Sequence, residues 1–517
     1  MNTELDQLAD RHLRADPQGV LADANNLNSG VVLVQAGPEM VEAQGSQHLL
    51  WMLVSLLSRQ FKVVTDIVLD IPHAALHVGV APFGAKDTLV EALEECVRLV
   101  SGPHVHVQRV GVDGPAPDVA LILGSGAAMA PKSWRLYADG WRYFIGEDGE
   151  FPPAPPQSGL SIGPYLCASF AAGEVFKFLR GMKPGKGDFI QSHFGSAWTM
   201  SSASTWGDLI EGPSADQLGT LPHFYFAGAG AVAQAAALCL GSSAIRGSCS
   251  VVDKDNLDLS NDNRYALSTR GDDGASKVKM MQDYLQSRGF ECHPVKEWWQ
   301  DFATSGGKHA PNRLVQEFER AYKFPIVLSC VDKNPARHAL QNVVPQLIFG
   351  GSTDGLTAKA SIFDLNEGTA CLKCHNPIQS RNDVIKSRIA ALRQADGEQR
   401  TTLVRELGLT EREVEVLLGA GGCGKLSESD LDRFSAATPD MSVGFASAAA
   451  GVLLVAQFLR NTYLGATGSL EAGSLSVLTF ARAKLRSMHV KPDQTCECKQ
   501  GLRKRWSSYW MEHTIDE

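Results

Sequence analysis

The sequence predicts an α/β protein of two doubly wound lobes in tandem, and three observations carry that expectation. A buried strand, a helix and a second buried strand follow one another twice along the chain. Two segments of equal length, far apart, share one pattern of small and apolar residues. The chain's 517 residues exceed the roughly 250–300 at which single cores usually split into domains.

The first unit runs through VVLVQAG (Val31 to Gly37), the apolar stretch HLLWMLVSLL and VVTDIVLDI (Val63 to Ile71). Short apolar runs rich in β-branched residues read as buried strands, and the longer run between them as a helix. The second unit starts at HFYFAGAG (His223 to Gly230), continues through an Ala-rich helix and returns as SCSVVDKD (Ser248 to Asp255). Ile162 to Arg180 (IGPYLCASFAAGEVFKFLR) and Ser442 to Arg460 (SVGFASAAAGVLLVAQFLR) both end in Phe-Leu-Arg and form an internal repeat. PDVALILGSG (Pro117 to Gly126) pairs likewise with PIVLSCVDKN (Pro325 to Asn334), so that Gly124 stands where the second copy has Asp332. Residues 181–221 are rich in Gly, Ser, Thr and Pro, which sets one domain at 1–205 and the other at 206–517. PPAPPQ (Pro152 to Gln157) reads as a surface loop. Residues 382–418 turn polar and helical inside an insertion spanning 376–435, which carries GAGGCGKL and its Cys423.

The net charge of −9 gives no reason to expect nucleic acid or an anionic membrane as partner. The N-terminal MNTELDQLADRHLRADPQ lacks the apolar core of a secretory signal. The eleven cysteines are therefore expected in the cytoplasm, where metal binding or thiol chemistry outranks disulfides. Met441 to Leu459 is uncharged and long enough to span a bilayer, but its Ser, Gly and Gln content reads as a buried helix.

Gly228-Ala229-Gly230 ends a strand and opens a helix, the context in which backbone amides approach a phosphate. Ala233 replaces the third glycine of the dinucleotide fingerprint, which counts against a nicotinamide dehydrogenase. Glycine turns of this kind also occur without any nucleotide. The next strand ends in Asp253, followed by Asn261, Arg264 and Lys277 in the spacing D-x7-N-x2-R-x12-K. An acid at a strand end suits ribose hydroxyls. An amide, a guanidinium and an ammonium suit a polyphosphate and its reaction charge, and Asp332 at another strand end suits Mg²⁺. The bland alternative is a solvated loop with incidental ion pairs. Cys371-Leu-Lys-Cys374 and Cys496-Glu-Cys498 supply four thiols, enough for a closed tetrahedral zinc site. Cys423 lies between glycines beside Lys425, where an exposed thiol of lowered pKa would be nucleophilic.

The segments GAGAVAQ, VVDKDNLDLSNDNRYALSTRGDDGASK and LSCVDKN, within Phe224 to Asn334, resemble the adenylating domain of ThiF- and MoeB-type sulfur-carrier activators and ubiquitin-activating enzymes. The resemblance implies two Rossmann-like, ThiF-type adenylation folds packed as a pseudo-dimer. It implies that Gly228 and Gly230 line ATP, Asp253 meets the ribose, and Asn261, Arg264 and Lys277 address the phosphates, with Asp332 at Mg²⁺. Arg264 and Lys277 are then catalytic. The N-terminal lobe, with VLDIPHAALHVG after its second strand, fits a silent partner. An arginine early in that partner, Arg11 or Arg14, is a candidate for reaching the active lobe's phosphate site.

Cys423 resembles the cysteine that takes the activated carboxylate as a thioester, whereas Cys330 reads as packed in its strand. Cys371, Cys374, Cys496 and Cys498 would hold Zn²⁺, the second pair being tighter than the CxxC usual in such proteins. The implied partners are a ubiquitin-like protein ending in glycine and an E2-like conjugating enzyme, recruited through a surface such as the 382–418 helices because little chain follows Cys498. A homodimer is left open. A fused silent and active lobe looks most like activating enzymes of bacterial ubiquitin-like conjugation operons of the Bil type, linked to phage defence. The alternatives are a sulfur-carrier adenylyltransferase and a non-catalytic scaffold that binds a ubiquitin-like protein.

Overall fold

The computed structural model describes residues 4–14, 29–111, 114–126, 130–147, 154–182, 188–305, 324–366, 368–378, 381–407, 409–418, 442–464, 474–480 and 484–511. In the first half, strands β1 (Gly30–Ala36), β2 (Val64–Asp70), β3 (His106–Arg109), β4 (Val119–Leu123), β5 (Lys132–Asp139), β6 (Arg142–Gly146), β7 (Ser192–Ser196) and β8 (Ser201–Ala203) form one sheet. Its order is β3-β2-β1-β4-β5-β6-β7-β8. In the second half, β9 (Thr220–Ala227), β10 (Arg246–Val252), β11 (Glu291–Val295), β12 (Ile326–Ser329), β13 (Leu347–Asp354), β14 (Thr357–Phe363), β15 (Ser474–Thr479) and β16 (Lys484–His489) form another. Its order, β11-β10-β9-β12-β13-β14-β15-β16, is the same position for position. In each sheet the first five strands in this order pair in parallel and the last three add antiparallel. The repeat seen in the sequence is thus a repeat of topology.

Parallel strands in such sheets are covered on both faces, so they read as unbroken apolar runs; all five residues of β4 are buried. The repeat helices, Ile162–Leu179 and Gly444–Leu464, pack against each other between the lobes. Position explains their composition. A helix surrounded on all sides is apolar all round, and every residue from Gly444 to Leu459 is buried. One hydrophobic core therefore runs through both lobes. Among the described residues, no helix is long and apolar enough to cross a membrane.

Gly451 is where the close packing is tightest. A Cβ there would stand 2.6 Å from the Val232 carbonyl and 2.7 Å from the Ala236 amide, both on the helix Ala231–Ser242. The close approach that a third fingerprint glycine provides elsewhere is made here by Gly451 from the opposite helix, and Ala233 is wholly buried. Gly451→Val is expected to force the helices apart and cost about 1–3 kcal/mol, read as a lower denaturant midpoint at unchanged slope.

The polar helical stretch forms three helices, Arg381–Gln394, Gly397–Glu406 and Glu411–Leu418. They share a small core of their own around Ile385, Leu392 and Leu417. The third opens on a capping box in which Thr410 and Glu413 each accept the other's backbone amide. Cys423 and Lys425 lie outside the described residues.

Candidate functional site

A cleft of about 640 Å³ opens at the C-terminal ends of the parallel strands of the second sheet, beside the point where chain order reverses around β9. That is where open α/β sheets bind ligands. Gly228, Gly230, Asp253, Arg264, Lys277 and Asp332 all line it.

Local conformation explains each placement. Gly228 has φ +95°, and the Cys330 carbonyl lies 3.1 Å from where its Cβ would stand, so only glycine fits without strain. Gly230 caps the helix Ala231–Ser242 with no side-chain hydrogen bond. The first-turn amides and the positive helix end are thus left for an anion. Asp253 ties two loops together: it accepts from the Ala229 amide at 2.7 Å and the Asp255 amide at 2.8 Å. Arg264 donates to the Ser260 carbonyl at 2.5 Å and to Asn263 Oδ1 at 3.0 Å. Its guanidinium and the Lys277 ammonium lie 5.1 Å and 5.5 Å from the ring centroid of Tyr265. Lys277 Nζ is also 3.6 Å from Asp255. Burial opposes the Lys277 charge, but Tyr265, Asp253 and Asp255 outweigh it and raise its pKa, so it is a fixed cation at neutral pH.

Asn261 is the exception among the expected residues. It does not line the cleft; it is buried in the turn Leu259–Asn261, and its Oδ1 has no donor among the described residues. Cys330 does line the cleft, yet burial pushes its thiol pKa up, with the nearby Arg337 unable to reverse the shift. A thiol held protonated is a poor nucleophile. Tyr265, Asp255 and Arg337 were missed by sequence reasoning, although Tyr265 and Asp255 sit directly beside the motif that was read.

The loop that carries Asn261 and Arg264 is clamped by the first lobe. The buried Arg59 donates to the carbonyls of Asp262 at 2.6 Å and Ser268 at 2.7 Å. Asn263 donates to the Leu8 carbonyl at 2.8 Å, and Arg270 pairs with Glu4. The helix Glu4–Arg14 packs Leu5, Leu8 and Ala9 against Phe61 and Leu259. Arg11 and Arg14 are on this helix, but their side chains lie outside the described residues.

Residues 209–499, more than half of the chain, match the ThiF family. The chain belongs to the ThiF family. It is similar to the uncharacterized protein y4jF of Sinorhizobium fredii (strain NBRC 101917 / NGR234), 23% identical over 355 residues that cover 67% of this chain. The chain spans 60% of the length of that curated relative. Among solved structures it is similar to PaaA, with 18% identity, a TM-score of 0.31, and coverage of 53% of this chain and 74% of that one. It is also similar to E. coli MccB with MccA, with 12% identity, a TM-score of 0.35, and coverage of 71% and 97%.

Within this ThiF-family chain the first lobe has the same strand ends without the same chemistry. The registers set Gln35 with Asp70 and Ile122, and Ala227 with Val252 and Ser329. Matching Gln35 to Ala227 puts Ile71 level with Asp253. It also puts Ser125, one residue past the Gly124 expected from the sequence, level with Asp332. The level of Asp332 thus falls within one residue of the Gly124 named from the sequence. The bridges Ala75–Thr88 and Asn256–Ser276 likewise match Leu89 to Lys277. The Glu39 carboxylate accepts from the Ser125 amide at 2.6 Å and its hydroxyl at 2.9 Å, and packs directly over Gly37 and Gly124. Desolvation works against that charge, but the hydrogen bonds from Ser125 prevail and lower the Glu39 pKa. A carboxylate thus sits where the second lobe leaves room for an anion.

Two further features adjoin the cleft. A groove of about 560 Å³ shares Pro335, Arg337, Ser352 and Thr353 with it and continues past Lys359, Ser361 and His375. The Sγ atoms of Cys371, Cys374, Cys496 and Cys498 lie within 4.8 Å of one another. Three of their separations are 3.6, 3.6 and 3.7 Å. A tetrahedron of thiolates about an ion at about 2.3 Å has edges of about 3.8 Å, so the cluster fits a metal, and the tight second pair reaches it. The module is bolted to the cleft: Leu372 N donates to Gln341 Oε1, and Trp506 and Trp510 donate to the carbonyls of Pro345 and Val344. These contacts hold the far end of the helix Asn334–Asn342, whose near end lines the cleft.

Proposed function

We propose that the chain is an ATP-dependent activating enzyme that adenylates the C-terminal carboxylate of a ubiquitin-like protein ending in glycine. The observation that carries this reading is the convergence of Gly228, Gly230, Asp253, Arg264, Lys277 and Asp332 on one cleft, set against a matching lobe whose strand ends are closed by Glu39. The first lobe is read as silent and the second as active.

In the proposed reaction the substrate carboxylate attacks the α-phosphorus of ATP, an acyl-phosphate bond forms, and pyrophosphate leaves. The glycine turn and the helix beyond Gly230 hold phosphate oxygens, Asp253 holds the ribose, and Arg264 and Lys277 offset charge that grows on the phosphoryl oxygens. Asp332 would hold Mg²⁺, which supplies further neutralisation of the pyrophosphate. The polar groove beside the cleft suits an extended peptide tail, with Arg337 where the two meet. Cys423 is the proposed acceptor of the acyl group as a thioester, for transfer to an E2-like enzyme, with bacterial antiphage defence as the setting. Four thiols in a closed set favour Zn²⁺. Its role here is to brace the helix Asn334–Asn342.

Pyrophosphate exchange into ATP, run with the full chain and a candidate ubiquitin-like protein, tests the proposal. Exchange that needs the partner's terminal glycine, with a thiol-sensitive adduct lost in Cys423→Ala, supports it. Exchange without an adduct favours a sulfur-carrier adenylyltransferase, and a partner bound without exchange leaves a scaffold. For the metal, one equivalent of zinc per chain is expected by elemental analysis. Its removal by a strong chelator should lower the unfolding midpoint and loosen the Asn334–Asn342 amides to hydrogen exchange.

A further inference from the structure

We infer that Trp298 is the plate on which the purine base of the nucleotide stacks, an inference that rests on the ATP site proposed above. The order of strands across the second sheet lays out the site. Asp332 follows β12, Gly228 and Gly230 follow β9, Asp253 follows β10, and the segment from Glu297 to Gln300 follows β11. All of them line the cleft. Neighbouring strands lie about 4.8 Å apart, so β12 to β11 spans about 14 Å, the scale of an extended nucleoside triphosphate. Phosphates held at β9 and β12, with ribose at β10, leave the base at the end of β11.

The residues at that end are built for an aromatic ligand. Trp298 is 47% exposed although it forms part of the cleft wall. A large ring left open in a concave site is surface that a ligand covers. The Lys254 ammonium stands 3.7 Å from the centroid of its ring, and Lys254 is not among the residues lining the cleft. This cation–π contact holds the indole in its place in the cleft wall. Trp299, 3% exposed, lines the same wall, and its indole N–H has no acceptor among the described residues. Its ring packs on Tyr225, Phe302 and Phe324 and so backs the wall that carries Trp298.

Calorimetric titration of the full chain with ATP, with tryptophan emission recorded in parallel, tests the assignment. Trp298→Ala is expected to weaken ATP binding on the order of tenfold, the scale of one base–aromatic stack, and the loss in pyrophosphate exchange to fall on KM for ATP rather than on kcat. Trp298→Phe should keep the affinity near wild type while losing the emission change that ATP produces. Wild-type affinity in Trp298→Ala, or an unchanged emission response in Trp298→Phe, overturns the assignment while leaving the ATP site intact. A wild-type chain that binds no ATP overturns both.

Discussion

Lys277→Met lowers pyrophosphate exchange by about 100- to 1000-fold, the usual loss when one preorganised donor to a developing charge is removed. Methionine keeps most of the buried stem, so the fold around the head of the helix Lys277–Ser287 stays in place while the charge goes. The effect is large because Lys277 is only 8% exposed and its ammonium is already oriented by Tyr265 and Asp255. A cation held in a low-dielectric wall stabilises reaction charge without the reorganisation that water would need. The first lobe carries the same substitution in kind: its matching helix, Leu89–Ser101, begins with a wholly buried leucine. Exchange kinetics at saturating ATP measure the result. A loss below tenfold in kcat would reduce Lys277 to a helix-start residue with an incidental ion pair.

The contrast between the lobes also shows how far the sequence could be read. The two starts of strand, helix and strand were legible because parallel strands are apolar runs, and the long repeat helices because both carry the same small-residue pattern running into Phe-Leu-Arg. The D-x7-N-x2-R-x12-K spacing lies within one crossover, so local order along the chain was enough to place Asp253, Arg264 and Lys277 on one cleft. Asn261 shares that spacing but is buried within its own turn, since the direction a side chain takes in a short turn is invisible to spacing. Glu39 is an acid in the first turn of the helix Pro38–Val41. Its role as a plug depends on Ser125, which β4 brings from 86 residues away. Trp298 follows β11, a strand of mixed polarity in Glu291–Val295, so nothing in its neighbourhood signalled a strand end. The four thiols were readable as a set because only a shared ion makes two such pairs useful at that separation.

The first lobe's retention has a physical account in Arg59, and Arg59→Met is the second substitution with a large expected effect. Arg59 ends the helix Gln44–Ser58 as its C-cap, where the helix dipole favours a cation. Its side chain crosses into the second lobe to hold Asp262 and Ser268 by their carbonyls. Burial pulls its pKa down to about 10, with Cys96, Asp262 and Asp272 opposing the shift, so it remains charged at neutral pH. Removing it leaves two carbonyls unpaired in a dry interface and costs about 2–4 kcal/mol. The same change releases the loop that carries Arg264, and misplacing a reacting group by an ångström can cost up to about 100-fold in rate. Stability and catalysis should therefore fall together in Arg59→Met, with faster amide exchange confined first to residues 259–268. Gly451→Val, by contrast, should lower stability with less effect on exchange kinetics, because it parts helices without touching the loop. If Arg59→Met unfolded at the wild-type midpoint and kept its exchange rate, the first lobe would be packing alone. If it behaved as expected, a lobe without nucleotide chemistry would still be holding its neighbour's catalytic loop in place.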